Sequence, residues 1–531
     1  MPPENRSLII QSDNRILLET ANPRYHYLRE KLLAFSEMES APEYMHVFAV
    51  NRFSLWNAFS RKITAEEIIS FLAAESVSGT AGQTGMLIRD AWQRFFSGQI
   101  SKAGGGFLIN LSGFARKSEL PACLLSAGAL KDEENFFLPE SCAAEIKLQI
   151  FKKGFFINFE NFAECGADFD IKIRNFTPYY YQQEAAQKFR QYKNGIVMLP
   201  CGAGKTAAAL LCMAELKKRA LIFTAGRISG EQWIREITGK TGIEIDSIGR
   251  ADENTGCPVT IVTYRLLAQK PALIPALLEN LPGLIIFDDV QKPGENLLEF
   301  LKQIAHIPKL ALSAALFFSE AEISVLMSLI GPVIYQQYWK KLEEEGFLSK
   351  AVCREIIIAV SDETKKKLAG KPDTQKRKIL ACMPDKLRIA AEIISKHPQE
   401  KILILASFLE QCREAAKLFS CPLLSGSSSP EKRRRTLEEF RNGKIRICVF
   451  SDIGNTALDL PEASLLIQLS GRFGSPLEEA QRIGRILRKK HDSRCAFFYT
   501  LVAGENPERN YSMQRRLFMI SQGYEYEISA L

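Results

Sequence analysis

The chain has 531 residues, 46% of them hydrophobic and 24% charged, with a formal net charge of +8. That length suits about three or four domains with packed cores, and the modest positive charge permits a polyanionic partner without requiring one. No apolar run approaches the ~20 residues of a bilayer span, and the opening Met-Pro-Pro-Glu-Asn-Arg lacks the apolar core of a signal peptide, so a cytoplasmic protein is expected. The 12 cysteines are scattered with no C-x-x-C pair, which argues for buried thiols in a reducing compartment rather than a zinc or disulfide framework. Five histidines leave few candidates for imidazole chemistry.

Residues 7–20 read as a hairpin, two apolar runs about a Ser-Asp-Asn turn. Tyr25 to Glu37 and Ser54 to Ser76 have helical apolar spacing, with Thr64-Ala-Glu-Glu as a start signal. Gly79 to Gly85 is a small-residue linker candidate. Short strand-like and helical pieces then alternate to about Asn175, broken at Gly104-Gly-Gly106. The expected divisions are an accessory domain at 1–80 and a second accessory module at 81–170.

From about Asn175 the pattern becomes strand, loop, helix, repeated. Apolar runs at Arg219–Phe223, Val259–Val262, Leu284–Phe287 and Lys309–Leu312 are each followed by helical stretches. A second series begins near Pro384, with runs at Lys401–Leu405, Arg446–Phe450, Leu465–Gln468 and Ala496–Tyr499. Short continuous apolar strands separated by helices indicate parallel sheets covered on both faces. The fold class is therefore α/β, with two similar lobes in tandem at 171–345 and 385–531 and ligands expected in a cleft.

One stretch organises this part of the chain. The apolar run Gly195–Leu199 leads into Pro-Cys-Gly-Ala-Gly and then an alanine- and leucine-rich helix from Thr206. Successive backbone N–H groups of Gly202, Ala203 and Gly204 and the positive end of a helix suit phosphate oxygens. Lys205 is placed for the β/γ-phosphates and the Thr206 hydroxyl for Mg²⁺. The usual first glycine is Leu199 here, so the match is to Gly-Lys-Thr with a Gly-Ala-Gly turn.

Downstream, Leu284-Ile-Ile-Phe-Asp-Asp-Val-Gln291 is an apolar strand ending in two carboxylates. Asp288 suits Mg²⁺, and Asp289 suits orientation or deprotonation of an attacking water. Near the end of the second lobe, Gln481, Arg485 and Arg488 in Glu478–Arg488 fall at helical spacing, as donors toward a γ-phosphate.

Pro-Cys-Gly-Ala-Gly-Lys-Thr206, Asp-Asp-Val-Gln291 and Gln481-Arg-Ile-Gly-Arg-Ile-Leu-Arg488 resemble motifs I, II and VI of superfamily 2 helicases. More narrowly the chain resembles the XPB-type DNA repair helicases in their bacterial form. That likeness rests on Leu329-Ile-Gly-Pro332 with Tyr335 and Trp339, Asp459-Leu-Pro-Glu-Ala463, Ile467-Gln-Leu-Ser470, Phe473-Gly-Ser475, Ile9-Ile-Gln-Ser-Asp13 and Ser54-Leu-Trp-Asn57.

The resemblance implies two RecA-like lobes, ATP with Mg²⁺, and an ATP-dependent DNA helicase or translocase running 3′ to 5′ in DNA repair. It implies that Gln182 reads adenine and that Gly454 and Asp459 couple nucleotide to DNA. Thr224, Gln232, Trp233, Thr263, Tyr264, Ser425 and Gly426 correspond to DNA-facing loops, and 346–384, with Lys365-Lys-Lys367, to a small thumb. DNA is the partner it implies, with a nuclease or repair protein beside it and a monomeric state as further expectations. Contacts from such loops would go to phosphate and sugar more than to base edges, with the basic runs Lys432–Arg435 and Arg488–Lys490 contributing.

Four departures stand out. The family's motif II is Asp-Glu-Val-His, against Asp289 and Gln291 here. Motif III is Ser313-Ala-Ala315 for Thr-Ala-Thr, and Phe317-Phe-Ser319 replaces an Arg-Glu-Asp element. These keep a second reading open, a catalytically weakened ATP-binding clamp or scaffold of the same fold.

Overall fold

The structure, a computed structural model, describes residues 6–531 apart from 97–99, 111–118, 127, 133–134, 140–142, 158–165, 290–293, 305–306, 316–319, 452–462, 472–475, 485 and 488–494. Two compact units divide the chain, Met1–Leu199 with Gly204–Gln336, and Pro200–Ala203 with Gln337–Leu531.

The first unit opens with the expected hairpin. Leu8–Ile10 pairs antiparallel with Arg15–Glu19, and Met45–Ala49 and Glu37–Ser40 complete a four-stranded sheet. The helix expected over Tyr25 to Glu37 stops at Leu33, and Glu37 begins a strand. The helix expected over Ser54 to Ser76 is two, Arg52–Ser60 and Ala65–Glu75. Lys62 between them is left-handed at φ 68, and Thr64 starts the second helix with a reciprocal cap. Its hydroxyl accepts from Glu67 N at 3.2 Å while the Glu67 carboxylate accepts from Thr64 N at 2.7 Å. The supposed linker at Gly79 to Gly85 runs into the helix Gly82–Gln93. A second antiparallel sheet follows, in which Ile100–Ala103 and Gly106–Asn110 are joined across Gly104 and Gly105.

Within the same unit lies a seven-stranded, wholly parallel sheet. Its order is Ile248–Arg250, Val259–Thr263, Ala220–Thr224, Leu284–Asp288, Lys309–Ser313, Asn194–Met198, Val333–Gln336. Its strands are almost entirely buried, as their unbroken apolar sequence requires. Phe107, Ile109, Phe136 and Leu138 of the second antiparallel sheet share one core with Phe223, Phe287 and Phe300 of this unit. The N-terminal module is tied to the last strand by polar contacts: Val333 N donates to Asn57 Oδ1 at 2.9 Å, and Arg61 donates to Gln336 Oε1.

The second unit holds another wholly parallel seven-stranded sheet. Its order is Leu423–Leu424, Ile447–Ser451, Ile402–Ala406, Leu465–Gln468, Ala496–Ala503, Ala351–Ile358, Tyr526–Ala530. The range 346–384, expected as a thumb, thus supplies the strand Ala351–Ile358, followed by helices Asp362–Leu368 and Asp373–Ala381. No helix among the described residues is long and apolar enough to cross a membrane.

Candidate nucleotide site

The strand Asn194–Met198 is followed by Leu199, whose N–H donates to Ser313 O at 3.0 Å, tying the phosphate-loop strand to the start of the Ser-Ala-Ala segment. The chain then turns, Ala203 N donating back to Pro200 O, and enters the helix Lys205–Leu216. Gly204, at the helix start, is left-handed at φ 78, and a Cβ there would lie 2.5 Å from Gln182 Nε2. The backbone sign at 204 favours glycine, and a Cβ there would in addition displace the Gln182 amide. Gln182 is buried, and its Oε1 accepts from Tyr179 N at 3.1 Å, so the side chain is held against the turn. The residue expected to read adenine and the loop expected to hold phosphates are therefore neighbours.

The strand Leu284–Asp288 lies two places along the same sheet, with Lys309–Ser313 between it and the phosphate-loop strand. Its end brings Asp289 Oδ1 to 2.8 Å from Lys205 Nζ. Asp289 is left-handed at φ 47, a conformation that a short acidic side chain tolerates better than most. Asp288 accepts at Oδ2 from Trp233 Nε1 at 2.8 Å and from Ser229 Oγ at 3.4 Å, while Tyr264 OH donates to its backbone carbonyl at 3.2 Å. Burial pushes the Asp288 carboxyl up to about 6, and the charge of Asp289 adds to the rise. Lys205 and the bonds from Trp233 and Ser229 act in the opposite direction.

These residues fit a Mg²⁺–triphosphate. Thr206 is partly exposed in the first turn of the helix behind the Gly204 cradle, and Asp288 Oδ1 takes no hydrogen bond from any described residue. No group of three or more His, Cys, Asp or Glu able to hold a metal alone occurs among the described residues. Mg²⁺ shared with phosphates needs only one or two carboxylates.

The residues expected to face DNA take mixed places. Thr224 is fully buried and Trp233 is 1% exposed with its indole N–H committed to Asp288, so neither side chain reaches a phosphate backbone. Tyr264 stacks on Phe223 with ring centroids 5.8 Å apart, and Thr263 caps the following helix by accepting from Leu266 N. Gln232 is half-buried. In the second unit, Ser425 is buried and accepts at its carbonyl from Arg433 at 3.0 Å, and Gly426 is exposed. Arg433 thus fastens the loop to the basic helix Pro430–Arg441.

Gly454, Asp459, Arg485 and Arg488 lie outside the described residues, as does the side chain of Gln481 on the helix Pro476–Ile483. That helix shows a residue the sequence reading passed over. Arg482 is fully buried and donates to Gln468 Oε1 at 3.0 Å, beside Glu479, which faces Arg515 at 3.8 Å. The available signal was spacing: Glu479, Arg482 and Ile483 fall on one helical face, which places Arg482 beside an apolar residue and a carboxylate.

Comparison with known proteins bears on this geometry. A family profile described as ERCC3/RAD25/XPB C-terminal helicase matches residues 342–530, and one for the type III restriction enzyme res subunit matches 175–316. A third, for a helicase conserved C-terminal domain, matches 8–112. The chain is 30% identical to the DNA 3′-5′ helicase XPB of Mycobacterium tuberculosis, over 98% of this chain and 97% of that one. It is 28% identical to the general transcription and DNA repair factor IIH helicase/translocase subunit XPB of Antonospora locustae, over 98% and 81%. A fragment structure assigned as the HsdR subunit of a type I restriction enzyme from Vibrio vulnificus YJ016 shares the fold, with TM-score 0.51 and 16% identity over 67% of this chain and 69% of that one. With a Gly-Lys-Thr turn, a paired-carboxylate strand end and two seven-stranded parallel sheets in place, and a bacterial XPB helicase 30% identical along nearly the whole length, the chain belongs to the XPB-type superfamily 2 helicases.

Proposed function

We propose that this protein is an ATP-dependent DNA helicase or translocase, moving 3′ to 5′, with ATP as substrate and Mg²⁺ as cofactor. The observation that carries the reading is the 2.8 Å approach of Lys205 to Asp289, which puts the phosphate loop and the carboxylate pair at one place on one sheet. The N–H groups of Gly202 to Gly204 and the Lys205 ammonium hold the triphosphate. Gln182 selects adenine, Asp289 orients water, and Thr206 with Asp288 holds the metal. Bound Mg²⁺ neutralises charge on the phosphate oxygens. Gln481, Arg485 and Arg488 donate to the transferring phosphoryl group, and Gly454 and Asp459 couple its departure to DNA. The segments bearing Thr224, Gln232, Trp233, Thr263, Tyr264, Ser425 and Gly426 line the path of the DNA backbone, the buried side chains of Thr224, Trp233 and Ser425 shaping it rather than touching it.

The test is phosphate release with and without single-stranded DNA. Wild type is stimulated, and Lys205→Ala falls to background; equal release by the two would end the reading.

A second reading, an ATP-binding clamp with weakened turnover, draws on two features. Asp289 is one methylene shorter than glutamate, and the Ser313 hydroxyl is spent on Ala315 O at 2.6 Å. Asp289→Glu separates the two. The left-handed backbone and the short bond to Lys205 suit aspartate, so the helicase reading predicts a slower enzyme, and a faster one would favour the clamp.

A further inference from the structure

The geometry points to Trp233 as the positioning residue of the metal ligand: its indole N–H fixes the Asp288 carboxylate so that Oδ1 is presented to Mg²⁺, and it ties that ligand to the helix Arg227–Thr241. The inference rests on the nucleotide site proposed above. Trp233 and Ser229 stand one turn apart on this helix, and both donate to the same oxygen, Oδ2, at 2.8 and 3.4 Å. A carboxylate held at one oxygen by two donors cannot rotate freely, and the other oxygen keeps one direction. The third hold, Tyr264 OH on the Asp288 carbonyl at 3.2 Å, comes from the helix after the neighbouring strand Val259–Thr263.

Trp233 is far larger than a donor needs to be. Its ring is 1% exposed, so packing fixes the N–H vector as firmly as the backbone is fixed. The helix starts directly after the strand Ala220–Thr224 and Gly226. A shift of that helix would therefore move the donor and reorient the metal ligand.

Partners that orient metal ligands are worth roughly 10- to 100-fold in metal affinity. The experiment measures binding of a fluorescent ATP analogue at fixed enzyme while Mg²⁺ is titrated from EDTA upward, in wild type, Trp233→Phe and Ser229→Ala, with the thermal midpoint of each variant as control. Phenylalanine retains an aromatic ring and removes the N–H. The expected result is unchanged nucleotide affinity in EDTA and a Mg²⁺ half-saturation raised about tenfold in Trp233→Phe. Ser229→Ala, which removes the longer bond, moves it about twofold in the same direction. Wild-type Mg²⁺ dependence in a folded Trp233→Phe overturns the assignment of Trp233. If Trp233→Phe does not fold, Trp233→Met, which also fills the site without a donor, takes its place, and wild-type Mg²⁺ dependence in that variant overturns the assignment. Absence of any Mg²⁺-dependent nucleotide binding in wild type would sink the nucleotide site itself, a separate outcome.

Discussion

Asp289 shows how much chemistry one backbone angle can carry. Its left-handed φ of 47 and its 2.8 Å bond to Lys205 place a carboxylate at the phosphate loop without the extra methylene of a glutamate. Asparagine tolerates the same conformation and has nearly the same shape but no charge, so Asp289→Asn isolates the chemistry. DNA-stimulated phosphate release should fall by about 100-fold or more, with the thermal midpoint within error of wild type, because the Asp289 side chain is 39% exposed and such a pair adds little stability. A rate near wild type would remove Asp289 from the mechanism. His46 makes a different prediction. It is buried with Nδ1 at 2.6 Å from Tyr25 OH, and burial first, then the charge of Arg29, lower its pKa from 6.5 to about 4. Between those values the unfolded chain takes a proton that the folded chain refuses, so stability is lost as the pH falls from 6.5 toward 4. The protection of amides in the strand Met45–Ala49, taken as the observed exchange rate relative to the intrinsic rate at each pH, should fall over that window, and His46→Gln should flatten the dependence. An identical acid profile in the variant would contradict this. At this scale motif spacing nominated Lys205 and Asp288 and the family resemblance nominated Gln182, and the structure sets Gln182 beside Gly204 and Lys205 beside Asp289. It could not show that Trp233 turns inward, because a tryptophan at helical spacing reads the same whether its N–H meets DNA or a carboxylate.

The helix entered through Gly204 and the helix bearing Arg482 answer to different forces. At Gly204 a methyl group would both strain the backbone and press on Gln182 at 2.5 Å. Gly204→Ala should weaken nucleotide binding at least about tenfold, from a backbone cost of roughly 1–2 kcal/mol together with displacement of Gln182; unchanged binding would show that the loop relaxes freely. The helix Pro476–Ile483 is anchored by charge. Arg482 and Arg515 both oppose the upward push that burial gives the Glu479 carboxyl. Arg482→Met retains length and removes the cation, and should lower stability by about 3 kcal/mol, seen as an earlier urea midpoint; a midpoint unmoved would mean that Arg515 suffices. Elements were most legible where periodicity was unbroken, and the apolar runs at 220, 259, 284, 309, 402, 447, 465 and 496 all begin strands within about a residue, the last of which continues four residues past the expected Tyr499 to Ala503. Three kinds were missed. Ala351–Ile358 carries Arg354 and Glu355 within its run, Tyr526–Ala530 is an exposed edge strand, and the Arg52–Ser60 and Ala65–Glu75 helices share one apolar period across a break that only the Thr64 cap marks.

On the scale of the whole molecule, two parallel seven-stranded sheets come from two rounds of the same strand-helix grammar, and that repetition was readable from the order of apolar runs. The position of the accessory modules was not, because it is set by scattered contacts: Asn57 on Val333, Arg61 on Gln336, and phenylalanines of the 100–139 sheet merged into the core of the first unit. DNA binding through phosphate contacts should weaken with salt, with a slope of about −0.7 per phosphate neutralised on a single strand. The central claim is that the phosphate loop and the motif VI arginines serve one triphosphate whose hydrolysis answers to DNA. It is tested most directly by steady-state phosphate release, with and without single-stranded DNA, in wild type, Lys205→Ala and Arg485→Ala. The account predicts DNA stimulation in wild type and background rates in both variants; an Arg485→Ala protein that retains the full DNA-stimulated rate would contradict it.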